Sequence, residues 1–156
     1  MMAIFNCGNY RLLNLAGEKL EVGHKSVIDV NLPVNCAKLS ELQTTIMLFE
    51  MAKSFTFEKL NHWDQISPTL KAILERGDAI DYAEYSDALM KARLARASLE
   101  SLLSNEFDVL IAPSATGEAP KTLDATGDPI FSRGWTLMGV PCINLTVTSG
   151  PNGLPV

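Results

Sequence analysis

The chain has 156 residues, 47% hydrophobic and 20% charged, with a net charge of −5 and a pI near 5.0. These figures suit one compact domain with its own core and exclude a disordered chain. The acidic balance disfavours a phosphate backbone as partner, so no nucleic acid is expected. No apolar run reaches the ~20 residues that span a bilayer, so no membrane partner is expected either.

The start, Met1-Met2-Ala3-Ile4-Phe5-Asn6-Cys7, has no basic segment and too short an apolar stretch for a secretory signal, which makes a cytoplasmic location the expectation. Residues 12–22 place Leu12, Leu15, Ala16 and Leu20 in a pattern compatible with a helix despite Gly17. Val27-Ile28-Asp29-Val30-Asn31-Leu32 is rich in β-branched residues and is stopped by Pro33, the mark of a strand. From Asn35 the period becomes helical. Leu39, Leu42, Ile46, Phe49 and Lys53 recur at that spacing, and Met47, Leu48 and Met51 widen the stripe, so this helix is expected to be buried on more than one side.

Residues 54–66, with Phe55, Phe57, Leu60 and Trp63, fit a short helix or a packed loop. Ser67 then caps a helix that Pro68 can begin without losing a hydrogen bond, and Gly77 fits a left-handed position after its end. Asp81 and Glu84 stand at capping-box spacing before a long alanine-rich helix to about Ser104, with Tyr85, Leu89, Ala92, Leu99 and Leu103 on one face. Lys91, Arg93 and Arg96 are flanked by Asp87 and Glu100 and read as a solvated helix face rather than an anion site.

Phe107-Asp108-Val109-Leu110-Ile111-Ala112-Pro113 predicts a strand covered on both faces, hence central in its sheet. Residues 114–129 form a long connection holding Gly117, Pro120, Gly127 and Pro129. A short helix over Ile130–Met138 is broken by Gly139-Val140-Pro141. Cys142–Val147 reads as a last strand, and Gly150–Val156 as a hairpin-like turn. Strands separated by helices predict an α/β fold, with mixed sheet strands and covering helices.

The widely spaced Cys7, Cys36 and Cys142 offer neither a disulfide framework nor a metal motif, and His24 and His62 have no second ligand at metal spacing. No metal or other cofactor is expected.

Several blocks carry a resemblance. Phe107–Pro113, Glu118-Ala119-Pro120, Gly127-Asp128-Pro129 with Phe131, Trp135-Thr136-Leu137 with Gly139-Val140-Pro141-Cys142-Ile143, and Gly153-Leu154-Pro155-Val156 occur in order. In that order and spacing they resemble the C-terminal half of amidase signature enzymes, in the manner of the broad bacterial amidase group. Upstream, Thr45-Ile46-Met47 with Glu50, Ser67-Pro68-Thr69-Leu70, Gly77 and Tyr85 are also similar to that family. The resemblance divides the chain into residues 1–19, which match poorly, and 20–156, a C-terminal part of an amidase domain.

The resemblance implies amide hydrolysis by a serine nucleophile, a second serine in a cis peptide bond and a lysine base. A lysine with a lowered pKa can accept a proton near neutrality, so a triad without histidine is chemically sound. Those family elements lie upstream of the matched region, and no substitute presents itself here. Ser98, Ser101 and Ser104 sit on a helix with nothing beside them to activate a hydroxyl. No catalytic residue is therefore assigned, the chain alone is expected to be inactive, and the α/β fold is expected to be an incomplete piece of the family's.

What the resemblance leaves to this chain is the substrate side of a pocket for a small amide. Asp128, Phe131, Trp135 and Thr136 are the matching positions: two rings to bound an apolar pocket, with Asp128 or Thr136 as a polar contact. A plainer reading stands beside it. Phe131 and Trp135, four apart on one helix, also fit a core face, and Asp128 also fits a cap for that helix.

The competing function is a non-catalytic α/β module that binds a small molecule or a protein; an enzyme built on Cys142 or His62 finds no support in the spacing. Cys142 to Val156 contains no Lys, Arg, Asp or Glu, the charges by which natural edge strands are guarded. An open sheet edge there favours the fragment reading and predicts a homodimer through that edge.

Overall fold

A computed structural model describes residues 2–5, 27–122, 124–146 and 148–156. The expected helix at 12–22, Cys7 and His24 lie outside the described residues, as does most of the poorly matched 1–19 segment.

The chain is mostly helical, which overturns the α/β expectation of mixed sheet strands with covering helices. Helix α1 spans Leu39–Ser54, α2 Thr56–Asn61, α3 Pro68–Asp78, α4 Tyr82–Asn105 and α5 Ile130–Met138. Single 3₁₀ turns at Val34–Cys36 and Trp63–Gln65 join them to their neighbours. Extended structure is a minor component: β1 (Met2–Phe5), β2 (Val27–Val30) and β3 (Val109–Ile111) align in the order β2-β1-β3. Pairing within this ladder is parallel, with Met2 opposite both Val27 and Val109, so the ladder is not mixed.

Two local expectations fail. β3, expected at the centre, lies at the edge of the described ladder, and Val109 is 51% exposed. The central place belongs to β1, in a stretch whose sequence raised no strand signal. Cys142–Thr146, expected as the last strand, belongs to no strand and is exposed throughout, while Val147 lies outside the described residues. Strand propensity expresses packing against neighbours, and among the described residues no strand lies beside this segment. The hairpin expected at the end does form: Val156 N donates to Thr148 O at 3.0 Å, and Gly150 N to Leu154 O at 2.9 Å.

The helices follow their sequence signals closely. Ser67 Oγ accepts from Leu70 N at 3.3 Å with Pro68 in the first position, and Asp81 Oδ1 accepts from Glu84 N at 2.8 Å. Each such cap satisfies one of the orphan amides at a helix start and is worth ~1 kcal/mol. Helix α5 ends where Gly139 turns left-handed (φ 61°), with Val140 N donating back to Trp135 O at 3.3 Å. On the solvated face of α4, Lys91 pairs with Asp87 at 2.5 Å and Arg96 with Glu100 at 2.8 Å. Exposed pairs of this kind add only tenths of a kcal/mol, which suits a solvated face.

The core sits around α1. Its Leu48 and Ala52 face α3, its Ile46 packs with Ala88 and Ala92 of α4, and its Leu39 lies against Gly134 of α5. Burial on several sides of α1 is thus as the broad apolar stripe foretold. Gly77 is not a helix terminator. It is buried inside α3, and an added Cβ would lie 2.1 Å from Leu48 O and 2.8 Å from Ala52 Cβ. A second cluster joins Cys36, Leu39, Ala95, Leu99 and Met138, with Trp135 and Leu110 packed on it. Leu74, Leu99 and Met138 are almost fully buried, and such side chains each contribute ~1.5–3 kcal/mol.

Candidate functional site

Asp128, Phe131, Trp135 and Thr136 lie on and just before α5, but their side chains go to different tasks. Asp128 is exposed, and its Oδ1 accepts from Ile130 N, the first amide of the helix, at 3.0 Å, although the N-cap position itself is Pro129. Trp135 is half-buried against the Cys36–Met138 cluster, while Phe131, one turn earlier, is half-buried but stands outside that cluster. Thr136 is exposed on another side of the helix.

Thr136 borders an open groove of about 530 Å³ between α1 and α5, together with Gln43, Ile46, Met47, Met51 and Leu137. Of the four candidate residues only Thr136 lines it. Along α1 the groove mixes apolar Ile46, Met47 and Met51 with polar Gln43, Glu50 and Ser54, and Gln43 Oε1 is itself buried, with no hydrogen-bond donor among the described residues. Beside it Arg133 Nη1 donates to Thr44 Oγ1 at 3.0 Å, joining α5 to α1. A second groove of about 390 Å³ lies between α1 and α4, where Lys38, Glu41, Glu84, Asp87 and Lys91 give its rim both signs of charge.

Two serines of α4 have partners that cannot serve as bases. Ser98 Oγ accepts from Asn35 Nδ2 at 3.1 Å, and Ser101 Oγ from Asn105 Nδ2 at 3.4 Å. An amide nitrogen donates and takes no proton, so neither hydroxyl is activated by it. His62 Nδ1 lies 3.4 Å from Gln65 Nε2 on the surface. Cys36 is buried, which pushes its thiol pKa up and away from nucleophilic use, and Cys142 is exposed. Among the described residues no three His, Cys, Asp or Glu side chains gather where a metal could sit.

The most organised polar cluster lies elsewhere, and the spacing of the sequence did not single it out as a site. Glu118, in the connection after β3, receives the Gly150–Leu154 turn. Asn152 N and Leu154 N each donate to its Oε1 at 2.9 Å, and Asn152 Nδ2 donates to Oε2 at 2.6 Å. The Asn152 side chain, the two backbone amides and the nearby Lys121 charge hold the Glu118 carboxyl below its ordinary pKa, against a smaller opposing effect of desolvation. Gly150 lies flat against the same side chain: an added Cβ would fall 2.3 Å from Glu118 Cγ. The sequence signal was there in part, since Glu118 and Leu154 belong to two separate blocks of the family resemblance. A second such pairing links Tyr85, whose Oη donates to Glu50 Oε1 at 2.9 Å while its ring stacks on Phe49 at 4.2 Å.

No protein-family model matches the chain, and no curated protein matches it either. Among the described residues no helix is long and apolar enough to cross a membrane.

Proposed function

We propose that the chain is a C-terminal portion of an amidase signature hydrolase, contributing a helical scaffold and one wall of the substrate pocket but no catalytic group. The observation that carries this reading is the ordered series of blocks from Thr45 to Val156, with the gaps that the family's pattern has. Two features of the fold support it. Glu50 meets Tyr85, and Glu118 meets Asn152 and Leu154, so positions that carry the resemblance serve as mutual contacts rather than as isolated surface residues. Ser98 and Ser101 meet amide nitrogens rather than a base, which agrees with a segment that supplies no nucleophile of its own.

In the whole enzyme a small amide would be cleaved by a Ser–cisSer–Lys triad supplied from outside this segment. Trp135 and Phe131 would limit the acyl side, and Thr136 would supply a polar contact. Asp128 would act by starting α5. The test is an amidase assay on the purified 156-residue chain with simple aliphatic and aromatic amides. No turnover is expected. Measurable hydrolysis that survives repurification would sink the proposal, because no residue here explains it. Sequencing the locus ahead of Met1 is the complementary test, with a glycine- and serine-rich segment containing a lysine as the expected finding.

One observation favours the alternative of a non-catalytic binding module: the open α1–α5 groove offers a ligand both apolar side chains (Ile46, Met47, Met51) and polar ones (Glu50, Ser54, Thr136). Binding of small amides at Thr136 without any turnover, in a chain with no catalytic counterpart in its locus, would favour that module. Self-association also belongs to the proposal. Ile143 and Leu145 are 88% and 68% exposed within a segment free of ionic side chains, a surface suited to another copy of the chain.

A further inference from the structure

The turn at Gly150–Leu154 brings three nitrogen donors to bear on one small region of space: the backbone amides of Asn152 and Leu154 and the side-chain amide of Asn152. Asn152 N is shared, lying 2.9 Å from Glu118 Oε1 and 3.1 Å from Oε2, so both oxygens are engaged at once. Gly150 forms the floor, because any side chain there would collide with the Glu118 methylene and carboxyl carbons. Gly153, at φ 82°, holds the left-handed step that lets the amides on either side of it face the same way. The fit is to a planar anion with two oxygens. A single carbonyl oxygen would leave part of the donor set unmet.

We propose that this turn is a carboxylate-binding nest, filled within the chain by Glu118, and that the contact works as a latch. The proposal goes beyond the amide hydrolase reading and does not depend on it. Glu118 and Asn152 are 34 residues apart, and the segment they close contains Asp128, Phe131, Trp135 and Thr136. The latch thereby ties down both ends of the stretch that carries α5. Lys121 adds a favourable charge beside the carboxylate. The chemical class of ligand is a small carboxylate, and Glu118 is its built-in representative.

Chemical rescue tests this in the full chain. Glu118→Ala removes the ligand but leaves the donors in place, and amide hydrogen exchange at Asn152 and Leu154 reports on the nest. Exchange at both amides is expected to rise about tenfold or more, with the amides of α1 and α4 unchanged. Formate in large excess should then slow it back toward the wild-type rate, while chloride at equal ionic strength should not. Wild-type exchange in E118A, or a formate effect no larger than that of chloride, would overturn the proposal. Should E118A lose its helical circular dichroism, Glu118→Gln gives the same readout. One carbonyl oxygen should protect the two amides less than the carboxylate does, and equal protection in E118Q and wild type would count against the nest.

Discussion

At Gly77 the absence of one methyl group decides how closely α3 approaches α1. The gap to Leu48 O leaves no room for a Cβ, so Gly77→Ala must push the helices apart or bend one of them. A loss of about 1–3 kcal/mol is expected in urea unfolding, the range for overpacking a close-packed core, and an unchanged midpoint would refute the contact. Glycine near the end of a helical pattern suits a left-handed terminator, and local sequence does not reveal that the backbone of Leu48, 29 residues earlier in the chain, passes against it. Gly139 is the residue where that same signal held. Gln43 offers a test of the opposite sign. Its Oε1 is buried without a donor among the described residues, so Gln43→Met should be neutral or should stabilise the chain by up to about 1 kcal/mol in the same assay. Glu118 sets a pH dependence. Its folded pKa is lowered, so its contribution is present above the ordinary carboxylate range and is lost as pH falls through the lowered value. Exchange at Asn152 and Leu154 should therefore remain slow at neutral and mildly acidic pH and quicken only in stronger acid, in advance of any loss of helix.

Elements with local codes were legible in the sequence. The caps at Ser67 and Asp81, the stripe of α1 and the stop at Gly139 depend on residues within a turn or two of each other, and each is found where its signal lies. Elements defined by distant partners were not. Val109–Ile111 and Cys142–Thr146 have similar β-branched, apolar composition, yet one pairs with β1 and the other pairs with no strand among the described residues. Composition describes what a segment can do in a sheet and not whether a sheet is there. The candidate site divides along the same line. Four positions on one short helix could be named from the sequence, but which of them face the core, the solvent or the α1–α5 groove depends on how α5 docks. That docking is itself testable. Leu74 and Leu99 are buried in different contacts of the helical core, and Leu99→Ala should cost about 2–5 kcal/mol and loosen α5, seen as a change in Trp135 emission in a Trp63→Phe background. Leu74→Ala should cost a similar amount without that spectral change.

For the molecule as a whole, the uneven distribution of its charge matters more than the net value. Charged side chains cover α2, α3 and α4, and none occurs from Cys142 onward. The exposed Ile143 and Leu145 lie in that uncharged region. Light scattering should find the chain associating with rising concentration, and Ile143→Lys with Leu145→Lys should shift it to monomer with little change in unfolding midpoint; a wild-type monomer at all concentrations would remove this surface from consideration. Alternating strand-like and helix-like stretches suggested layers on a sheet, whereas α1 gathers the other long helices around itself. Long-range closure between Glu118 and the final hairpin has one more consequence, which concerns time. The entropic cost of joining two points grows with the length of chain between them, while helices need only neighbouring residues. The helices around α1 should therefore assemble early and the Glu118 closure last. By the same reasoning it is the first contact to open in the native state, so a protease should nick the 114–129 connection before it cuts any helix.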